Sequence, residues 1–279
     1  MRKIGFIDYY LDEWHAQVYP DWLREASGGE MEVAYAYGMK DPEQGKSNTE
    51  WCQERGIPLL DSIEAVVEAS DYLIVLSPDN PERHLELATL PLQSGKPTYV
   101  DKTFAPDRQT AQLLIDTAAR HGTPLFSSSA LRYAPEYTAL KREGIERICS
   151  FGPGSYSNYA VHQIEPIVSL MGTEARRVMY IGKEGTPELL IEFSGGRQAE
   201  IHHFRVGEFS MMIQYESDDC ANLKIQSNFF AELMKDMVQF FRTGEPSFDS
   251  RETIAIMTII EYGLIAKQRP YEWVELPPV

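Results

Sequence analysis

The chain has 279 residues, which is long for one ordinary core and fits two domains of usual size. Its formal net charge of -16 argues against nucleic acid and anionic membranes as partners, because both bind through basic surfaces. No apolar run has the length of a membrane span and the first residues lack the pattern of a signal peptide, so we expect a soluble, cytoplasmic protein. The three cysteines are odd in number and far apart, which predicts buried thiols and neither disulfides nor a thiolate zinc site.

Strands and helices alternate between residues 4 and 126. Short apolar runs predict strands at 4–7, 32–37, 72–76, 99–100 and 125–126. Apolar residues at helical spacing predict helices at 11–26, 49–55, 62–69, 83–94 and 108–120, and Pro91 is expected to kink or shorten the fourth. Such alternation predicts a mostly parallel, Rossmann-like sheet with right-handed crossovers.

From about residue 148 the pattern changes to strands joined by turn signals. Strand-like runs lie at 147–151, 178–181, 189–193, 198–204, 211–215 and 222–225, and helices follow at 229–242 and 251–267. Two of the joins are typical of hairpins, so we expect a mainly antiparallel open sheet with helices on one face. A second copy of the protein would most simply cover the other face, which predicts a homodimer or homotetramer.

These patterns together predict an α/β fold class with two domains. Residues 1–127 form a Rossmann-like domain in this interpretation, and residues 128–279 form an α+β domain. The boundary is placed where the segment SSSALRYAP supplies small residues and a proline after the last parallel strand.

The segment 95–103, GKPTYVDKT, joins a short strand to an acid-base pair, Asp101 and Lys102. Ligands of open α/β sheets bind outside the carboxyl ends of the strands, so a reacting group is expected at this position. Taken alone, the pair is more simply explained as a surface ion pair at a strand end.

Four segments in the same order carry a resemblance to a known family. They are 71–103, LRYAP at 131–135, HQIEPIVSLMG at 162–172, and the helix pair at 229–267 with its connector TGEPSFDSRET. In these segments the chain resembles the Gfo/Idh/MocA oxidoreductases, whose members carry a strand, a Pro-Asn-x-x-His loop, a helix, Gly-Lys and then Glu-Lys-Pro. The resemblance implies an NAD- or NADP-binding Rossmann domain at 1–127, and at 128–279 a substrate domain that also makes the oligomer contact.

The resemblance also implies site residues. In the family, the lysine of Glu-Lys-Pro lies beside the nicotinamide and the substrate hydroxyl, and a histidine on the His-x-x-Asp helix takes or relays a proton. Carried over, these catalytic residues are Lys102 and His162, with Asn158 four residues earlier able to orient a hydroxyl. The implied cofactor-binding residues are Asp8, Tyr9, Tyr10, Ser77, Pro78, His84, Asp101 and Lys102.

The expected roles agree with elementary chemistry. Hydride transfer from an alcohol carbon leaves an oxygen whose proton must go to a base, and a histidine has a suitable pKa. Lys102 would stabilise negative charge that develops on that oxygen. For His162 the alternative is a polar side chain near a helix start.

The first turn departs from the family pattern. Where the family has Gly-x-Gly-x-x-Gly, this chain has DYYLDE at 8–13, with no glycine and three acids. At about 6 Å and an effective dielectric near 20, each carboxylate would repel a phosphate charge by roughly 3 kcal/mol before screening. Acids also stabilise a helix N-terminus when no anion is bound there, so this turn is predicted to cap its own helix.

Smaller departures follow along the chain. In dinucleotide-binding enzymes the second strand usually ends with an acid that binds the adenosine ribose. Here the strand runs into Gly38, and the nearest following acid is Asp41. Thr103 stands for the proline of Glu-Lys-Pro, and Glu165 stands for the aspartate of His-x-x-Asp.

A metal site is not expected. His162, Glu165, His202 and His203 offer ligand atoms, but His202 and His203 are adjacent and would point to opposite faces of a strand.

Three functions are compatible with these residues. We expect an NAD(P)-dependent dehydrogenase or reductase that acts on a small molecule, a polyol, sugar or related hydroxy compound, because the segments that bear Lys102 and His162 both persist. The alternative is a cofactor-free ligand-binding or regulatory pseudo-oxidoreductase, which the lost glycines favour. A third possibility is a structural subunit of an oligomer that binds no small molecule.

Overall fold

The computed structural model describes all 279 residues. The chain forms two compact units, the first made of Met1–Ser128 and Ala231–Phe248 and the second of Ser129–Phe230 and Asp249–Val279. The sequence instead assigns everything after residue 127 to one domain. None of the helices combines the length and hydropathy that a membrane span requires.

The first unit contains a parallel five-stranded sheet in the order β2-β1-β3-β4-β5. Its strands are β1 (Arg2–Asp8), β2 (Met31–Gly38), β3 (Tyr72–Val75), β4 (Thr98–Val100) and β5 (Leu125–Phe126). Its helices are α1 (Trp14–Ala26), α2 (Asn48–Arg55), α3 (Ile63–Ala69), α4 (His84–Gln93) and α5 (Arg108–His121). The predicted Rossmann-like α/β arrangement is confirmed.

Local sequence explains how these elements begin and pack. Ser62 caps α3 by accepting a hydrogen bond from the Ala65 amide, as its position predicts. A Cβ on Gly5 would overlap Val66, so glycine lets α3 lie directly on strand β1. Pro91 lies inside α4, which ends two residues later.

Most of helix α8 (Phe229–Thr243) belongs to the first unit. Its Phe241 ring stacks on Tyr72 of β3 with ring centroids 4.9 Å apart, and its Phe240 ring lies 5.3 Å from Phe126 of β5. The apolar side of α8 therefore packs against the parallel sheet.

The second unit contains a seven-stranded sheet in the order β11-β10-β6-β9-β8-β7-β12. Its strands are β6 (Ile145–Pro153), β7 (Ala175–Tyr180), β8 (Glu188–Phe193), β9 (Gln198–Phe204), β10 (Ser210–Tyr215), β11 (Cys220–Lys224) and β12 (Trp273–Glu275). All neighbours are antiparallel except the pair β6 and β9, so the prediction of a mainly antiparallel sheet is confirmed. Its helices are α6 (Pro135–Thr138), α7 (Tyr156–Met171) and α9 (Ser250–Lys267).

Side chains of this sheet alternate between a buried face and a half-exposed face. Ile148 and Ile201 are fully buried, whereas their neighbours Cys149 and His202 are half-buried. Helices α7 and α9 also pack closely on each other, because Gly263 of α9 leaves room for the Tyr156 side chain of α7. The predicted second copy over the half-exposed face stays a prediction.

Candidate functional site

In the first unit, the predicted site residues lie where parallel strands end. Asp8 is the last residue of β1, Ser77 follows β3 by two residues, and Asp101 follows β4 directly. Backbone hydrogen bonds from Leu76 to Ile7 and from Asp101 to Val75 carry the strand pairing up to these positions. The structure therefore brings these residues to the carboxyl edge of one sheet, where α/β proteins bind ligands.

Glu13 caps helix α1 with its own carboxylate. The carboxylate oxygens accept hydrogen bonds from the His15 amide, at 2.7 Å, and from the Ala16 amide. Such amides are the donors that hold phosphate in glycine-rich turns. The prediction that this turn caps its own helix is confirmed.

Asp8 is a second buried acid of the first turn, and only 1% of it is exposed. One carboxylate oxygen accepts a hydrogen bond from the Tyr9 amide at 2.6 Å, and the other is buried without a partner. Burial, together with the charge of Glu13, raises the pKa of Asp8 well above its ordinary value. Burial also raises the pKa of Glu13 to about 7, so near neutral pH this turn carries less negative charge than its sequence indicates.

Asp101 is fully buried and has three partners. Its carboxylate lies 2.5 Å from Nδ1 of His15 and accepts hydrogen bonds from the Tyr99 hydroxyl at 3.2 Å and the Lys102 amide at 2.9 Å. Burial alone would raise the Asp101 pKa, but His15 and Lys102 hold it below its ordinary value. The pair at 101–102 is therefore more than a surface ion pair, because Asp101 anchors the backbone from which Lys102 projects.

Lys102 is half-buried, and its Nζ lies 3.4 Å from the carbonyl oxygen of Pro78. The Lys102–Thr103 peptide is cis. Ser77 adopts a left-handed backbone conformation with φ 82°, and its hydroxyl donates to the Asn80 carbonyl at 3.2 Å. The loop after β3 and the strand end of β4 thus meet at the lysine.

His84 is fully buried between two backbone carbonyls. Its Nδ1 lies 3.0 Å from the oxygen of Phe104 and its Nε2 lies 2.7 Å from the oxygen of Leu76. Burial lowers the pKa of His84. His84 therefore joins the backbone after β3 to the backbone that follows Lys102, and its part in cofactor binding stays a prediction.

The Tyr9 ring contacts two cations that the sequence did not single out. The Lys40 ammonium and the Arg83 guanidinium each lie 4.8 Å from its centroid, and the Tyr10 ring lies 5.6 Å from it. A positively charged side chain in each of the loops after β2 and β3 gives this edge of the sheet groups that attract phosphate.

In the second unit, His162 lies on α7 next to a buried serine. Ser129 Oγ is 2.7 Å from His162 Nδ1, and the Ser129 amide donates to the Glu165 carboxylate at 2.8 Å. Arg132 lies 3.7 Å from Glu165 and also pairs with Glu252. Asn158 is exposed one turn before His162. A buried ionic network therefore holds the serine that contacts the predicted catalytic histidine.

His202 and His203 point to opposite faces of β9, as predicted. His203 is buried beside the Gln163 amide, and burial lowers its pKa. The His202 ring stacks on Phe151 of the neighbouring strand, with centroids 5.1 Å apart. Of the three cysteines, only Cys52 is buried; Cys149 is half-buried and Cys220 exposed, so the prediction of three buried thiols is wrong.

No family model and no curated protein matches this sequence. Solved structures do match it over nearly the whole chain. GenD2 from gentamicin A biosynthesis, in complex with NAD, matches with a TM-score of 0.82 and 13% identity over 99% of this chain and 97% of that one. A putative myo-inositol dehydrogenase from Sinorhizobium meliloti 1021 matches with a TM-score of 0.78 and 10% identity, over 99% of this chain and 100% of that one. The WlbA dehydrogenase from Bordetella pertussis, in complex with NADH and UDP-GlcNAcA, matches with a TM-score of 0.77 and 14% identity over the full length of both chains.

These neighbours are dehydrogenases of the Gfo/Idh/MocA type. This chain has their fold. The predicted resemblance is thus confirmed for the fold of both units, at identities where only short motifs remain visible in the sequence.

Within this Gfo/Idh/MocA fold, sequence reasoning missed several residues of the site. His15 falls within the predicted helix at 11–26 and was not singled out, although a histidine on the inward side of a helix is itself a signal for a buried acidic partner. Lys40 and Arg83 gave no signal, because surface cations are common. Ser129 lies in the segment SSSALRYAP, where the domain boundary is placed, and in the sequence its small side chain indicates only that boundary.

Proposed function

We propose that this protein is an NAD(P)-dependent oxidoreductase that acts on a hydroxyl group of a sugar, polyol or related compound. The observation that carries the proposal is the match of the entire chain to dehydrogenases solved with NAD or NADH. The position of Lys102, on a strand end anchored by the buried Asp101, supports it.

The proposed chemistry assigns one task to each catalytic residue. The dinucleotide, when bound, accepts or supplies the hydride. Lys102 places a positive charge against the substrate oxygen and stabilises the negative charge that develops there. His162 takes the hydroxyl proton on oxidation and returns it on reduction, and Asn158 orients the hydroxyl.

A dinucleotide does not fit the first turn as the family binds it, because Glu13 already occupies the α1 amides. The cofactor would instead rest on side chains at the other strand ends. Lys40, Arg83 and Lys102 supply the positive charge, and Tyr9 and Tyr10 supply aromatic surface. No acid ends β2, so nothing at that position repels a 2′-phosphate.

A second candidate function is a cofactor-free ligand-binding relative. The Glu13 cap and the buried Asp8 favour it, because both place carboxyl groups where a diphosphate would lie. In that case the edge with Lys102 binds an uncharged or anionic small molecule without redox chemistry.

Calorimetric titration with NAD, NADH, NADP and NADPH separates the two. The wild type and a Glu13→Gln variant are compared on either side of pH 7, the value near which Glu13 titrates. The oxidoreductase proposal expects binding of at least one dinucleotide, tighter below pH 7 and tighter in Glu13→Gln, by about tenfold for one removed charge. If neither protein binds any of the four at either pH, the cofactor-free function is supported.

Turnover is tested after binding, by nicotinamide absorbance with a panel of sugars and polyols. Lys102→Ala should lower kcat by about 100-fold or more, as loss of one oxyanion-stabilising group does. Lys235→Ala, an exposed lysine of α8 in the same unit, is the matched control and should leave kcat unchanged. Undiminished turnover in Lys102→Ala would contradict the assigned role.

A further inference from the structure

The half-exposed face of the second unit's sheet carries a cluster of metal-ligating side chains. Sγ of Cys149, a carboxylate oxygen of Glu200 and a ring nitrogen of His202 lie within 4.8 Å of one another. Strand pairing places them there, because Cys149 of β6 is directly opposite Glu200 of β9 and His202 follows Glu200 by two residues on the same face.

The His202 ring is oriented with one nitrogen toward this cluster. Nδ1 lies 3.4 Å from the Glu188 carboxylate on β8, and Phe151 stacks on the ring. Nε2 is buried, has no hydrogen-bond partner, and lies 3.6 Å from the Glu200 carboxylate. A carboxylate on one ring nitrogen with the other nitrogen left for a ligand is the usual arrangement of metal-binding histidines.

We propose that Cys149, Glu200 and His202 form a site for a divalent transition metal of the Zn²⁺ class, with Glu188 orienting the histidine. Thiolate, imidazole and carboxylate are the zinc ligands of proteins, and this set contains one of each. Three protein ligands leave a fourth position of a tetrahedron for water or another donor.

The three ligand atoms must move slightly closer together to bind one metal ion. Ligand atoms of tetrahedral zinc, each 2.0 to 2.3 Å from the metal, are about 3.3 to 3.8 Å apart. The present donors close to that distance by side-chain shifts on the order of 1 Å, and the strand pairing of β6 and β9 is kept. The Cys149 thiol gives up its proton when it becomes a ligand.

The test uses the full-length protein, stripped with a chelator and kept reduced, with Co²⁺ and Zn²⁺ as probes. One Co²⁺ per chain should bind and produce a near-ultraviolet sulfur-to-cobalt charge-transfer band, which Zn²⁺ then abolishes by displacement. A wild type that binds no Co²⁺, or binds it without this band, overturns the proposal.

Variants then locate the site. Cys149→Ser should abolish the band, whereas Cys220→Ser, which removes the exposed cysteine of the same unit, should retain it. His202→Gln should weaken binding and His121→Gln, an exposed histidine of the first unit, should not. Glu188→Gln should keep the band with about 10- to 100-fold lower affinity. A band that survives Cys149→Ser, or disappears in Cys220→Ser, contradicts the assignment, and circular dichroism verifies that each variant is folded.

Discussion

Glu13 shows how a single residue can couple the stability of the first unit to pH. Its carboxyl group is buried at the start of α1, and burial raises its pKa from an ordinary 4.5 to about 7. Between these two values the folded chain holds a proton that the unfolded chain has released. The stability that this proton contributes is therefore complete below about pH 4.5 and is lost as the pH rises through about 7.

Replacing Glu13 by Gln should flatten this pH dependence. As the pH rises from about 4.5 to above 7, the wild type should lose on the order of 2 to 3 kcal/mol of unfolding free energy from this group. The variant should lose none of it, because its amide does not ionise. Urea unfolding at several pH values measures the difference. Glu50→Gln is the control, since Glu50 caps α2 from an exposed position and its pKa is lowered, chiefly by the Ser47 amide. Equal slopes in wild type and Glu13→Gln would contradict the assigned pKa.

Ser129 is placed to influence the tautomer of His162, because its hydroxyl lies at one ring nitrogen. With Ser129 Oγ 2.7 Å from Nδ1, one ring nitrogen is committed to a buried hydroxyl. Ser129→Ala removes a hydrogen bond worth about 1 kcal/mol, so the tautomer ratio should change by up to about fivefold, the value for a hydroxyl that bonds one tautomer only, and kcat should fall by no more than this if His162 transfers the proton. Nitrogen-15 NMR of the histidine rings reads the tautomer without any need for turnover.

Two controls accompany this change. Ser129→Thr keeps a hydroxyl and should restore the wild-type tautomer, and Ser157→Ala, at an exposed position of α7, should not disturb it. An unaltered His162 spectrum in Ser129→Ala would show that other contacts fix the ring.

At the scale of helices and strands, the sequence predicted most elements but not all of their partners. Apolar alternation located β8 and β9 to within a residue, because one face of that sheet is buried and the other is not. The start of α7 at Tyr156 was missed, since the family motif becomes visible only six residues later, at His162. The Glu13 cap was predicted from the acids of the first turn, but the partner of Asp101 was not, because a contact between α1 and β4 is a property of the tertiary fold.

The contact between α7 and α9 depends on a glycine inside a helix. A Cβ at Gly263 would overlap the Tyr156 hydroxyl, which donates toward the carbonyls of Ile259 and Ile260 at 3.3 and 3.4 Å. Gly263→Ala should therefore destabilise the protein by about 1 to 2 kcal/mol, although alanine by itself favours a helix. The double variant Gly263→Ala with Tyr156→Phe should recover part of the loss, because the overlapping hydroxyl is gone. Strictly additive effects in thermal unfolding would contradict this packing.

At the scale of the whole molecule, the chain enters the first unit twice. Residues 1–128 supply the parallel sheet, and residues 231–248 return to it with most of α8. The sequence predicted one boundary near residue 127, because the amphipathic pattern of α8 gives an apolar side without showing which core that side joins. The rings of Phe240 and Phe241 assign α8 to the first unit, since they pack on β5 and β3.

Phe241→Ala tests this connection in the intact protein. The side chain is 2% exposed and stacks on Tyr72, so its loss should cost about 3 to 5 kcal/mol of stability in the first unit. Hydrogen exchange with mass spectrometry should show the largest loss of protection in β3 and its neighbours β1 and β4, because the cavity opens against that sheet. Gln239→Ala, exposed on the same helix, should change neither stability nor exchange. If protection fell instead in β7 and β8 of the second unit, α8 would belong to the second core, as the sequence alone had indicated.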